Sequence, residues 1–271
     1  MLSSLRIEVR NQLLQEVETE GRIVLSSSER TNYETQFQGL SNIPEDVRKI
    51  LLRHYQARYY RFLNFGSSRL LVDSSEYRFS RNLSSAVVDA GRTDIVSGGG
   101  PGLMRAALEG LYSVRQDAIK ERRIIKAQAL GITILTLPNN EGPCEFLDKE
   151  HPHREFTTRL QEFMDISHAA YVAPGGIGTN LEFALLLQLK QVNHLEREYP
   201  IMVHPSWEDL IRTLKQTFYT RPLLEKTTPF MGKGDLDHLI LTDSIPQIVD
   251  IVMQSRALWR ESINRHVVIV P

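Results

Sequence analysis

A carboxylate follows a glycine-rich turn in the segment PGGIGTNLE, residues 174–182. Thr179 and Glu182 are three residues apart in it, and the strongly apolar stretch FALLLQL comes next. A threonine and a glutamate at this spacing form a capping box, which is a common way to begin a helix. Beside a phosphate cradle, however, the carboxylate would face the sugar of a bound nucleotide. There it can stabilise the positive charge that develops when a ribose–base bond breaks.

Glycine-rich turns follow three of the apolar runs in the chain. Glycine lets backbone N–H groups approach a ligand closely, and a helix that begins there offers unpaired donors and a favourable dipole for phosphate. One such turn would be only a tight connection, but three at one edge of a sheet predict a cradle for phosphate and sugar. The residues predicted to form it are Gly66, Ser67, Ser97, Gly98, Gly99, Gly100, Gly102, Met104, Pro174, Gly175, Gly176, Gly178 and Thr179.

The spacing of these glycines excludes the two commonest phosphate-binding motifs. G-x-G-x-x-G fails from Gly98, because Leu103 stands at its last position, and from Gly176, because Leu181 does. No G-x-x-x-x-G-K-[ST] segment occurs in the chain. A standard dinucleotide enzyme and a P-loop NTPase are therefore disfavoured, and a phosphate cradle of another kind is expected.

A nucleotide site also needs a cation for the phosphate, and arginine can hold two oxygens at once. Arg154 and Arg159 lie on the helix predicted over residues 154–167, just before an apolar run at 169–174. That helix can bring its N-terminal part to the carboxyl edge of the following strand. The alternative for either arginine is a solvated charge at the surface.

Composition sets outer limits on the class of protein. The chain has 271 residues, a formal net charge of −1 and one cysteine, Cys144. These values favour neither nucleic acid nor a membrane as partner, and no intrachain disulfide can form. No apolar stretch is long enough to span a bilayer, and the N-terminus lacks the pattern of a signal peptide. We therefore expect a cytoplasmic protein.

Short apolar runs alternate with longer segments of helical periodicity from about residue 60. The runs lie at 61–65, 94–97, 132–137, 169–174 and 200–204, with a sixth candidate at 236–243, and the helical segments lie at about 75–90, 101–122, 154–167, 180–197 and 206–218. This alternation predicts an α/β fold, a Rossmann-like doubly wound parallel sheet flanked by helices. In such sheets ligands bind beyond the carboxyl ends of the strands.

The same sequence pattern predicts a division of the chain into three parts. Residues 1–60 are predicted to form an N-terminal helical arm, 61–258 the Rossmann-like catalytic domain, and 259–271 a C-terminal tail. The apolar stretch 181–189 is too hydrophobic for a half-exposed helix. It is expected to be buried against the sheet or packed on a second subunit.

Two of the glycine motifs resemble those of a known family. SGGGPGLM (97–104) and PGGIGTNLE (174–182) are similar to the SGGGxGxM and PGGxGTxxE motifs of the LOG family, and FGSSR (65–69) looks like its first-strand loop. Members are phosphoribohydrolases, long described as lysine decarboxylases, and bacterial nucleoside 5′-monophosphate nucleosidases belong to the same superfamily. The resemblance covers residues from about 61 to 255.

The resemblance implies an activity and a catalytic pair. The activity is hydrolysis of the N-glycosidic bond of a nucleoside 5′-monophosphate, such as AMP or a cytokinin riboside monophosphate, to free base and ribose 5-phosphate. The pair is Glu182, the last residue of the second motif, and Arg159, fifteen positions before the proline of that motif. The resemblance also implies that no cofactor or metal is used, and that the chain forms a homodimer or a higher homo-oligomer.

Three departures from the family pattern bear on substrate preference. The second motif keeps one glutamate where many members have two, Arg105 replaces a common glutamate, and Leu160 replaces a common lysine. A non-catalytic module that binds or senses a nucleotide is the alternative. Retention of both Arg159 and Glu182 favours the enzyme, because a sensor needs the cradle but not the pair.

Several other polar residues have less specific patterns. His151 and His153 flank a proline without a recognisable metal-ligand spacing, and they are expected to face solvent. Glu141 is either at the rim of the pocket or at a polar loop tip. Lys190 is expected to be exposed.

Overall fold

The computed structural model describes residues 59–135, 142–196 and 198–268, with side chains up to residue 262. All of these residues belong to the second of the two units of the chain, His54–Pro271. The predicted arm over residues 1–60 lies outside the described residues except for its last two, and Glu141 also lies outside them.

A seven-stranded sheet forms the centre of the described part. Its strands are β1 (Arg61–Phe65), β2 (Asp94–Ser97), β3 (Ala129–Ile134), β4 (Lys149–His153), β5 (Ala169–Val172), β6 (Ile201–Val203) and β7 (Leu239–Leu241). The order is β4-β3-β2-β1-β5-β6-β7, and every neighbouring pair is parallel. The apolar runs correctly located six of these strands. The polar segment KEHPH of β4 gave no such signal, and its proline is tolerated because β4 is an edge strand.

Helices follow most of the strands. They are α1 (Ser75–Ala90), α2 (Leu103–Lys120), α3 (Phe156–Ile166), α4 (Ile177–Gln191), α5 (Glu208–Lys215), α6 (Arg221–Leu224) and α7 (Ile245–Val268). The predicted boundary at residue 258 falls inside α7, so the segment assigned to a C-terminal tail begins within a helix.

Two apolar cores lie on opposite faces of the sheet. Leu83 of α1, Leu108 of α2 and Ile248 of α7 are buried in one core, together with the side chains that the strands direct to that face. Phe163 of α3 and Phe183 of α4 are buried in the other. Helices therefore cover both faces, which confirms the predicted doubly wound, Rossmann-like fold.

The order of the strands reverses at the centre of the sheet. From β1 the chain proceeds outward through β2, β3 and β4 on one side, and through β5, β6 and β7 on the other. A crevice opens at the carboxyl ends of the strands where such a reversal occurs, and ligands of open α/β sheets bind there. The turns after β1, β2 and β5 are neighbours at this edge, and they are the three glycine-rich turns.

Candidate active site

Backbone hydrogen bonds join the three glycine-rich turns directly. The N–H of Ser67 donates to the carbonyl of Pro174 at 3.1 Å, and the N–H of Leu103 donates to the carbonyl of Ser67 at 2.8 Å. The N–H of Ala173 donates to the carbonyl of Phe65 at 2.8 Å. The turn after β1 thus lies between the turns after β2 and β5, and all three form one continuous surface.

Some of the glycines are required because the turns pack tightly against one another. A Cβ atom at Gly102, where φ is +66°, would lie 2.3 Å from the carbonyl oxygen of Ser67. One at Gly66 would lie 2.7 Å from the Cβ of Leu103, and one at Gly175 would lie 2.1 Å from the Oγ1 of Thr179. These positions have no room for a side chain, so their glycines serve the packing of the turns.

Gly176 and Gly178 are different, because their missing side chains face open space. A Cβ atom at either position would have no neighbour within 4 Å, and both residues are exposed. They begin α4, whose first N–H groups have no partner within the helix. This end of α4 is therefore the part of the cradle where an anion has access to backbone donors.

Helix α4 begins three residues earlier than the sequence suggested. Its N-cap is Gly176 and its first residue is Ile177, so the interpretation of Thr179 as an N-cap is wrong. Thr179 is buried in the first turn beneath Gly175. Because a capping box needs the threonine at the N-cap, that alternative for Glu182 is also removed. Glu182 lies in the second turn of the helix, where capping does not explain it.

Arg159 and Glu182 meet in a buried ion pair. The Nη1 atom of Arg159 lies 3.4 Å from the Oε1 atom of Glu182, and the two residues are only 8% and 9% exposed. The Nε of Arg159 donates to the carbonyl of Ile132 at 2.8 Å, and its guanidinium stacks over the ring of Phe163. These contacts leave the guanidinium one orientation, directed at the carboxylate.

The glycine-rich turn after β2 provides the space that Arg159 occupies. A Cβ atom at Gly98 would lie 2.5 Å from the Nη2 atom of Arg159 and 2.4 Å from the sulfur of Met104. Gly98 therefore lets Arg159 pass against the backbone at the end of β2. Neither this contact nor the bond to the Ile132 carbonyl could be predicted from the sequence, because both depend on how α3 crosses the sheet edge.

Burial shifts the titration of both members of the pair. It raises the pKa of the Glu182 carboxyl to about 7, while the charge of Arg159 and its hydrogen bond oppose the rise. Burial also lowers the pKa of the Arg159 guanidinium, and the Glu182 carboxylate works against that change. A carboxyl with a pKa near neutrality can gain and release a proton at physiological pH, which suits acid–base work at this position.

The remaining polar residues lie elsewhere. Arg154 is exposed and precedes α3. Lys190 lies in the last turn of α4, and its Nζ donates to the carbonyls of Glu196 and Tyr199 at 2.8 and 2.9 Å, so it is held by the segment after the helix rather than freely exposed as expected.

The expectation that His151 and His153 face solvent is wrong. Their rings contact the two carboxylate oxygens of Glu162 on α3, each at 2.5 Å, and their side chains are 12% and 15% exposed. This partner, Glu162, lies on a different element, so the sequence around the two histidines did not indicate it. Within the residues described, no cluster of three or more histidine, cysteine or acidic side chains is arranged to hold a metal ion.

The fold and the paired arginine and glutamate define a Rossmann-like protein with a buried carboxylate at the switch point of the sheet. A family model described as "possible lysine decarboxylase" matches residues 104–245, just over half of the chain. The chain belongs to this family, the LOG family whose motifs the sequence resembles.

The curated proteins that resemble this chain include nucleotide nucleosidases. The chain is 24% identical over 199 residues to the pyrimidine/purine nucleotide 5′-monophosphate nucleosidase of Escherichia coli K12, and the match is the same for the protein of that name from E. coli O157:H7. The match covers 70% of this chain but only 40% of each relative.

Solved structures of similar topology include two proteins that handle a molybdenum cofactor. The molybdenum cofactor binding protein of Rippkaea orientalis is 12% identical, with a TM-score of 0.49 over 72% of this chain and 96% of its own. The molybdenum cofactor carrier protein of Chlamydomonas reinhardtii is 14% identical, with a TM-score of 0.47 over 73% and 99%. In the part of this chain that is described, no helix combines the length and apolarity needed to cross a bilayer.

Proposed function

We propose that this protein hydrolyses the N-glycosidic bond of a nucleoside 5′-monophosphate to free base and ribose 5-phosphate. The observation that carries the proposal is the buried contact between Arg159 and Glu182 beside the open end of α4. Membership of the family and the nucleosidase relatives support the reaction class. Lys190 is held by two carbonyls outside the three turns, which gives no support to an amino-acid decarboxylase.

The cradle orients the substrate in this proposal. The phosphate binds at the N-terminus of α4, where Gly176 and Gly178 leave backbone N–H groups accessible. The three joined turns hold the sugar above the carboxyl ends of β1, β2 and β5. The accessible backbone N–H groups and the positive end of the helix dipole favour a dianionic ligand at the N-terminus of α4.

Glu182 acts on the sugar in its anionic form. As the bond from C1′ to the base nitrogen breaks, positive charge develops on C1′ and the ring oxygen, and a fixed carboxylate stabilises it. Glu182 also orients a water molecule and accepts its proton as the water oxygen bonds to C1′. The electron pair of the broken bond leaves with the base, which takes up a proton.

Arg159 has two tasks in the same step. Its charge favours the anionic form of Glu182, which burial alone would neutralise. Its Nη2 atom lies against Gly98 at the end of β2, so the guanidinium also orients the substrate. AMP is the first substrate to test, with cytokinin riboside monophosphates as the plant-type alternative.

We also propose that the chain assembles as a homodimer through the outer face of α4. This helix buries Phe183 and Leu186 against the sheet, whereas Ile177 is 87% exposed and Leu181 47% exposed. Sedimentation of the wild type and of Leu181→Glu tests the assembly. A wild type that sediments as a monomer at micromolar concentration contradicts it.

The reaction is tested with a panel of AMP, GMP, CMP, UMP, IMP and isopentenyl-AMP, with chromatography of the products. Release of free base with an equal amount of ribose 5-phosphate from at least one nucleotide is the expected result. Well-folded protein that binds these nucleotides but cleaves none of them would instead establish a nucleotide-sensing module.

A further inference from the structure

Two arginines of α2 anchor the segment that precedes β4, residues 144–148. Near the start of the helix, the Nη2 atom of Arg105 lies 2.5 Å from the Oε1 atom of Glu145. Near its end, Arg115 contacts both carboxylate oxygens of Asp148, at 2.8 and 2.6 Å. The segment is therefore fixed to α2 at two points, ten residues apart along the helix.

The Arg105 anchor is a network rather than a single ion pair. The Nε of Arg105 also donates to the two carboxylate oxygens of Glu145, at 3.2 and 3.3 Å. Its guanidinium lies 4.8 Å from the centre of the Phe146 ring, and its Nη1 contacts Glu109 at 3.1 Å and the hydroxyl of Tyr77. A planar guanidinium that makes several contacts at once has a defined orientation.

The anchored segment contacts the second glycine turn. The N–H of Cys144 donates to the carbonyl of Gly99 at 2.8 Å. The side chain of Leu147 fills the space beside two glycines. A Cβ atom added at Gly131 would lie 2.5 Å from the Leu147 side chain, and one added at Gly99 would lie 3.5 Å from it. Gly99 has a φ of +73°, a conformation that glycine adopts readily and that other residues rarely adopt.

The bond from Cys144 also sets the direction of the next amide group. In a trans peptide the C=O and the following N–H point in opposite directions. The carbonyl of Gly99 is directed at Cys144, so the N–H of Gly100 is directed to the other side of the turn. The orientation of a backbone donor in the cradle thus depends on a segment that Arg105 holds in place.

We propose that Arg105 is a positioning residue for the nucleotide cradle, acting through Glu145 and Cys144 on the peptide between Gly99 and Gly100. Arg105 itself does not touch the substrate. This inference rests on the proposed function, because it assigns the second glycine turn to the binding of a nucleotide. It also gives a physical role to Arg105, one of the residues at which the chain departs from the family pattern.

The test is a charge reversal with a charge-swap rescue. Glu145→Arg places a second positive charge beside Arg105. The side chain of Glu145 is 60% exposed in the wild type, so the variant is expected to fold. Glu121→Arg is the matched control, because Glu121 is also an exposed carboxylate paired with an arginine, Arg123, but beyond the far end of α2. All proteins of the series carry Glu109→Gln, which removes the carboxylate that a glutamate at position 105 would face. In this background the double variant Glu145→Arg/Arg105→Glu restores opposite charges.

Two readouts are taken for each protein. The first is kcat and KM for AMP, and the second is hydrogen–deuterium exchange of the peptide that contains residues 98–104. Glu145→Arg is expected to raise KM about fivefold, because an effect of this size is typical of the loss of a partly exposed ion-pair network. The value of kcat is expected to stay within about twofold of wild type. The variant is also expected to speed exchange in the peptide. The control should change neither readout, and the double variant should return both toward wild type.

A KM and an exchange rate unaffected by Glu145→Arg overturn the inference, as does a double variant no better than the single one. A wild type that does not cleave AMP contradicts the proposed function instead. The exchange rates then still decide the inference: faster exchange in Glu145→Arg, reversed by the swap, supports the coupling, and unchanged exchange overturns it.

Discussion

The guanidinium of Arg159 lies 3.4 Å from the carboxylate of Glu182, although the two residues come from different helices on either side of β5. Arg159 is in the first turn of α3 and Glu182 in the second turn of α4. The chain runs down α3, up β5 and into α4, so both N-terminal ends lie at the carboxyl edge of the sheet. The contact places a buried carboxylate beside the three glycine turns.

The pH dependence of turnover should report the ionisation of Glu182. Its pKa is raised by burial to about 7, and the proposed reaction needs the anionic form. The value of kcat/KM for AMP should therefore increase with pH through about 7, tenfold per pH unit below it, and level off above it. An acidic limb centred near the usual glutamate value of about 4.3 would count against Glu182 as the titrating group.

Removal of the charge of Arg159 should move that limb to higher pH. Arg159 lowers the pKa of Glu182, so Arg159→Gln leaves burial unopposed and raises this pKa further. We also expect kcat/KM at the new plateau to fall about 100-fold, since a residue that orients the substrate is lost. Arg212→Gln, at an exposed arginine of α5, is the control. A limb that stays in place or moves to lower pH refutes the electrostatic coupling.

Gly98→Ala should impair catalysis by displacing Arg159. The added methyl group would lie 2.5 Å from the Nη2 atom of Arg159 and 2.4 Å from the sulfur of Met104. Overpacking of this kind costs about 1–3 kcal/mol of stability, and we expect kcat to fall at least tenfold. Thermal unfolding and steady-state kinetics measure the two effects. Wild-type kcat in this variant would show that Arg159 need not occupy its observed position.

Gly178→Ala should separate stability from binding. A Cβ atom there has no neighbour within 4 Å, and alanine favours a helix over glycine by up to about 1 kcal/mol. The variant should therefore be at least as stable as the wild type to denaturant. Its KM for AMP should nevertheless rise, because the methyl group enters the space assigned to the phosphate. If KM does not change, the phosphate binds elsewhere.

Much of the fold could be predicted from the sequence because the strands of a covered parallel sheet are continuous apolar runs. RFLNF and DIVS matched β1 and β2 residue for residue. β4 was missed because its segment, KEHPH, is polar and contains proline. The start of α4 was placed too late, because Gly176 and Gly178 weaken the helical signal at Ile177.

The candidate site was only partly readable for a similar reason. Spacing singled out Glu182, but the choice of Arg159 over Arg154 came from the resemblance to the family. The sequence could not distinguish glycines that pack, such as Gly102, from Gly176 and Gly178, which face open space. That distinction depends on contacts between turns that are far apart in the chain. The same holds for the anchoring of the segment before β4, which joins residues 40 positions apart.

The most direct test of the account compares the wild type with Glu182→Gln, using AMP and identifying every product. The wild type should release adenine and ribose 5-phosphate in equal amounts. Glu182→Gln keeps the size of the side chain but removes its charge, so turnover should fall about 10²- to 10³-fold while the Kd for AMP stays within a few-fold of wild type. Glu208→Gln, at an exposed carboxylate of α5, should behave as the wild type. Undiminished turnover by Glu182→Gln, or release of adenosine and inorganic phosphate by the wild type, would contradict the assignment of Glu182 to N-glycosidic cleavage.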